Sequence, residues 1–321
     1  MKHYILLLLI SLNLSSWAQI DTTKWEFLAV QDGDTIYARK PSKVDKARDI
    51  GDYSTAIKES YKLISIEPEE TNHVYNLACI YAIINQKDSA FKYLQNAIRT
   101  DSTAFPVTDP DFFNLISDKR WSELVENQMK KIILSTKFPY KDTSIVKQLW
   151  KMKLTDQALY SQIEVYEKTL GMNNPKSDSL WKIKEKLNEN NVRQLERIIN
   201  KYGWPKATDF GGVGVGAAFL IIQHSNLELQ KKYLPLLEEA AKNKEANWEE
   251  VALMTDRILT SENKPQIYGS QVTYNEKTKQ YELFPIKDPQ YVDKRRAEKG
   301  MIPLKDYVSN WGIKFEVKQK N

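Results

Sequence analysis

His224, within Gln223-His224-Ser225, is the residue best suited by type to acid–base chemistry near neutral pH. It is the only histidine after residue 73, so no His-x-x-x-His pair exists around it. Its competing role is that of a satisfied structural histidine at a buried helix end. The single cysteine, Cys79, excludes a multi-cysteine zinc site and an internal disulfide framework. On a helix it reads as a small buried apolar residue, not a nucleophile. Asp156 falls in the middle of an apolar helical arc, and a buried carboxylate needs a partner or must hold its proton. Arg295 and Arg296 are its expected charge partners, with an anionic ligand as their other role. Asp256 and Arg257 lie about 100° apart on their helix and point different ways, as in a local ion pair or a cap. In Gln266-x-Tyr268-Gly269-x-Gln271, extended backbone puts Gln266 and Tyr268 on one face. The candidate catalytic residues are therefore His224, Asp256, Arg257 and Asp156. The candidate ligand-binding residues are Gln223, Gln266, Tyr268, Gln271, Arg295 and Arg296. No metal and no cofactor is expected.

Other chemistries lack their signatures. Gly212-x-Gly214-x-x-Ala217 has the spacing of a dinucleotide fingerprint, but Trp204-Pro205-Lys206 precedes it where a strand is required, and helix follows. It reads as the entry to a close-packed helix, with an anion at that helix N-terminus as the alternative. There is no nucleophile elbow, phosphate-binding lysine loop or paired-carboxylate spacing.

The elements that must position these residues follow from composition and periodicity. The chain has 321 residues, 41% of them hydrophobic and 28% charged, which supports a folded core in about two domains. Its 47 basic and 42 acidic residues leave a net charge of +5, too even for a nucleic-acid partner without a basic patch. Lys2, the apolar run Tyr4–Leu12 and Ser16-Trp17-Ala18 read as an export signal cleaved after Ala18. No Cys follows the cleavage site directly, as a lipid-anchored signal would require, and no later stretch reaches the roughly 18 apolar residues of a membrane helix. The expected mature protein is exported, periplasmic or secreted, with no membrane contact after cleavage. Residues 19–40 read as a short strand or hairpin segment around Asp32-Gly33-Asp34.

Gly51-Asp52-Tyr53-Ser54-Thr55-Ala56-Ile57 aligns with Asn85-Gln86-Lys87-Asp88-Ser89-Ala90-Phe91 at a 34-residue offset. Ala90, Leu94, Ala97 and Ile98 form one helical stripe. The period and the small residues resemble the tetratricopeptide repeat, which implies helical hairpins over 41–130 and a concave surface for a peptide or protein. Asp109–Phe113 and Asp118–Leu124 read as a closing helical pair. Residues 131–143 read as a linker around Pro139.

From Ser144, as N-cap, one helix is expected to run to Leu170 and stop at Gly171. Further helices are expected over about 179–202, 218–222, 227–241 and 248–259. Gln271–Tyr274 and Gln280–Phe284 form a hairpin pattern. Asp288-Pro289 reads as an N-cap before a helix ending at Gly300, and a last helix follows Pro303. The fold class is mainly α with a minor β-hairpin, over 144–315, before a polar tail at 316–321.

Asp156-Gln157, Tyr202-Gly203-Trp204-Pro205, Gln223-His224-Ser225, Asp256-Arg257, Gln266-x-Tyr268-Gly269-x-Gln271, Asp293-x-Arg295-Arg296 and Gly300-Met301-x-Pro303-Leu304 occur in order. Together they resemble an uncharacterised bacterial domain family over Lys147–Tyr307. The resemblance implies export and helical repeats upstream, and it carries no activity. The functional expectation is an exported binding module, with an enzyme, a hydrolase using His224 as acid or base, as the alternative. The sequence sets no oligomeric state.

Overall fold

The computed structural model describes residues 42–172, 174–275 and 277–320. The export signal and the 19–40 segment lie outside the described residues. The described chain separates into two compact units between Ile221 and Ile222. It is mainly α-helical, with one two-stranded antiparallel sheet among the described residues. No described helix is long and apolar enough to cross a membrane.

The unit ending at Ile221 opens with two helical hairpins. Helix α1 (Lys43–Asp49) starts in a capping box in which Ser42 and Asp45 satisfy each other's backbone amides. Asp52 caps α2 (Tyr53–Ile66) by accepting from the Thr55 amide. The second hairpin is α3 (Thr71–Ile83) and α4 (Lys87–Ala97). Gly51 and Asn85, the corresponding turn residues, both have left-handed backbone, with φ of 73° and 60°. Ala56 and Ala90, at matching places on α2 and α4, are both fully buried. Small residues there leave room for neighbouring helices.

Helix α5 (Phe105–Thr108) and a 3-10 turn over Pro110–Leu115 follow, and then α6 (Lys119–Thr136). The expected closing pair is thus a 3-10 turn and one long helix. Helix α6 ends with Lys137 in left-handed backbone, so the non-helical stretch is shorter than the expected linker. The 131–143 stretch lies inside this compact unit.

The single helix expected over 145–170 is two. Helix α7 (Thr143–Gln157) is capped by Asp142, which accepts from the Ser144 and Ile145 amides, so Ser144 is not the cap. Leu159, at φ 74°, breaks the path before α8 (Tyr160–Leu170). The apolar periodicity carries across the break because Ala158, Leu159 and Ile163 still enter one core, packed against Phe113, Leu180, Trp181 and Leu187. Helix α9 (Pro175–Tyr202) starts a turn earlier than expected, with Asn174 as cap and Pro175 at its first position. Helices α10 (Ala207–Phe210) and α11 (Gly212–Gln223) complete the run. A Cβ on Gly214 would meet a Leu149 methyl at 3.0 Å, so this glycine serves close helix packing.

The unit from Ile222 contains α12 (Leu227–Lys242) and α13 (Trp248–Ser261), packed together. Strands β1 (Val272–Asn275) and β2 (Gln280–Leu283) pair with Tyr274 opposite Tyr281. Asp288 has left-handed backbone and no side-chain cap bond, contrary to the expected N-cap. Its proline starts a 3-10 turn that leads into α14 (Val292–Ala297). Helix α15 (Leu304–Ser309) follows Pro303. Val292, Leu304, Tyr307 and Val308 form the core beneath this end.

Candidate functional site

Four polar constellations are built from these elements, two in each unit. The most extensive surrounds residues 266–271. Helix α13 carries Asp256 into the interior, where Oδ1 accepts the Ile267 and Tyr268 amides at 2.6 and 3.0 Å. Oδ2 accepts the Ser270 amide and hydroxyl, both at 2.9 Å. Burial pushes this carboxyl up, and the backbone donors pull it back down.

The loop's carbonyls are held as well. Arg295 Nε donates to Ile267 O at 2.9 Å, Arg296 Nη1 to Tyr268 O at 2.8 Å, and the Tyr307 hydroxyl to Ser270 O at 3.0 Å. Gln266 imitates a strand neighbour: its Oε1 accepts the Gln271 amide at 2.8 Å and its Nε2 donates to Gln271 O at 3.1 Å. Gln271 in turn donates through Nε2 to the Ser270 hydroxyl at 3.0 Å. Gly269 has φ 72°, and a Cβ there would sit 2.8 Å from both Leu304 methyls. Asp256, Gln266, Gln271, Arg295 and Arg296 are therefore brought together as the frame of one loop. Tyr268, half-buried, is the side chain that frame holds in place.

Arg257, one residue along α13, points elsewhere. Its Nη1 donates to Gln223 O at 3.3 Å, and Gln230 Nε2 donates to the same carbonyl at 2.9 Å and to Ser225 O at 3.0 Å. These contacts tie the 223–225 backbone to α12 and α13. His224 lies half-buried beside this corner. The frame and the corner share α13 but use different faces of it.

In the other unit, Asp156 is 1% exposed, as its position in the apolar arc predicts. Gln157 Nε2 donates to its Oδ2 at 2.7 Å. Lys184 on α9 lies near it, with its ammonium 4.3 Å from the Tyr160 ring centroid and 3.4 Å from Thr155 O. Burial lowers Lys184 to about 8, against the opposing charge of Asp156. Asn191 joins the cluster through the Thr155 hydroxyl, which donates to its Oδ1 at 3.1 Å. Sequence reasoning missed Lys184. The available signal was its place, with Asn191, Leu195 and Ile198, on the buried stripe of α9.

The fourth constellation was also missed. The Tyr75 hydroxyl donates to Asp109 Oδ2 at 2.7 Å, and Arg48 Nη2 donates to Asp111 Oδ2 at 2.7 Å. Cys79, Asp109 and Asp111 place ligand-type atoms within 4.8 Å of one another. Burial, then the Asp111 charge, push Asp109 up, and burial pushes the Cys79 thiol up. A protonated thiol beside carboxylates already bonded to Tyr75 and Arg48 forms a hydrogen-bonded joint between α1, α3 and the 3-10 turn.

These constellations place the ordered polar motifs in an α-helical domain with a small hairpin. Residues 143–320 match the family described as "Family of unknown function (DUF6624)". The match covers more than half of the chain, and the chain belongs to this family. No curated protein and no solved structure matches it.

Proposed function

We propose that this protein is an exported binding module whose tetratricopeptide-like repeats hold a peptide or protein partner. The observation that carries the reading is the pair of helical hairpins in register, with Gly51 and Asn85 at their turns and buried Ala56 and Ala90 on their second helices. Such hairpins stack to leave the first helices of each pair on one shared surface. The export half of the reading rests on Lys2, Tyr4–Leu12 and Ser16-Trp17-Ala18. Expression with the native N-terminus, followed by intact-mass analysis of the periplasm and medium, is expected to find a chain beginning at Gln19. A full-length chain retained in the cytoplasm overturns export.

A photo-crosslinking residue in place of exposed Asn76 on α3 tests binding, with one in place of exposed Glu239 on α12 as control. One specific adduct from position 76 alone is the expected result. Identical adducts from both positions, or none, overturn it. The hydrolase alternative draws on one feature, the polar corner of Gln223, Gln230 and Arg257 next to His224. It requires an activity on an ester or amide substrate panel that His224→Ala abolishes without lowering the melting temperature.

A further inference from the structure

The strongest feature outside the framed loop is a crevice of about 160 Å³ between the α1–α2 turn and α8. A cavity near that size admits a benzene-sized group. The turn is set against α8 at Gly51, where a Cβ would stand 2.9 Å from Val165 Cγ1. Ile83 and Val165 provide apolar wall, and the charged groups lie around them.

The charge balance selects the occupant. Three carboxylates, Asp45, Asp49 and Glu164, line the crevice with two cations, Arg48 and Lys168. Both cations are engaged: Arg48 with Asp111 and Lys168 with Glu164, each at 2.7 Å. Asp45 accepts the Ser42 amide, whereas Asp49 has no ion-pair partner among the described residues. Helices α1 and α3 both end at the crevice, at Asp49 and Ile83, and their C-terminal carbonyls add partial negative charge. The unmatched charge is negative, and Ile83, Val165 and the Tyr53 side chain form the apolar part of the wall.

We infer that this crevice receives a basic side chain, the ammonium or guanidinium of a lysine or arginine on a polypeptide partner. The stem lies against Ile83, Val165 and Tyr53, and the head group meets Asp49. The inference deepens the binding reading above and rests on it for the occupant being a polypeptide.

The test is a methyl NMR titration of the full chain, observing the Ile83 δ1 and Val165 methyls. The probes are acetyl-Gly-Lys-Gly-amide, its Glu counterpart, and cadaverine. The Lys peptide is expected to give saturable shifts at millimolar concentration, weakened by salt. Asp49→Asn, at an exposed position, is expected to weaken it about threefold, the scale of an exposed ion pair. Equal shifts from the Glu peptide, no shift from the Lys peptide, or unchanged affinity in Asp49→Asn overturns the inference. Tighter binding of cadaverine than of the Lys peptide also overturns it, in favour of a free amine. These titrations need no natural partner. A working titration with failed crosslinking at position 76 leaves the crevice standing, and the converse leaves repeat binding with a partner of different chemistry.

Discussion

At the residue scale, the polar side chains around residues 266–271 act chiefly on backbone. Asp256 is the clearest case, with its two oxygens serving the amides of Ile267, Tyr268 and Ser270. Asn has one accepting oxygen, so Asp256→Asn leaves buried amides unmatched and is expected to destabilise by about 2–3 kcal/mol. Thermal unfolding, with faster hydrogen exchange at 267–270, checks this. Gly269→Ala combines forbidden backbone with a 2.8 Å approach to Leu304 and is expected to lose about 1–3 kcal/mol in the same assay. Glu250 offers a pH test. It is 3% exposed, its Oε2 has no hydrogen-bond partner, and burial raises it to about 8. A raised carboxyl contributes stability that is full below its unfolded value, 4.5, and is lost as pH rises through 8. Wild type is therefore expected to lose on the order of 5 kcal/mol between those limits relative to Glu250→Gln. Urea unfolding at both ends of the window measures the difference.

At the element scale, the hairpins depend on small residues at crossings and on left-handed turns. Ala90 is fully buried on α4, so Ala90→Leu overpacks and is expected to cost about 1–3 kcal/mol. Gly51→Ala strains a φ of 73° and pushes on Val165, so it should both lower the melting temperature and shift the Val165 methyl resonance. A change in stability with an unmoved Val165 methyl would mean that the turn does not brace α8. The break between α7 and α8 is a second such feature. The two helices share one apolar period, yet Leu159 turns the path so that both Asp156 and Tyr160 reach Lys184.

At the scale of the whole molecule, each compact unit assembles its own polar cluster from distant segments. One draws α13, the 266–271 loop and α14 together; the other draws α1, α3 and the 3-10 turn. Most helix positions, the hairpin and the burial of Asp156 were legible in the sequence, because periodicity acts within a few residues, whereas the break at Leu159, the cap at Asp142 and the left-handed backbone of Asp288 were not. The 34-residue register was legible for the same reason, since repeated local chemistry yields repeated local geometry. What Asp256 holds was not legible, because its four donors lie eleven to fourteen residues along the chain and reach it only when the loop folds back on α13. Arg295 and Arg296 likewise read as partners for a carboxylate, and the structure gives them carbonyls of a loop 28 residues earlier. Side-chain type thus determined which groups had to be satisfied. Only the tertiary structure decided by whom, because a buried donor or acceptor takes whatever partner packing brings within 3 Å, and packing is not local.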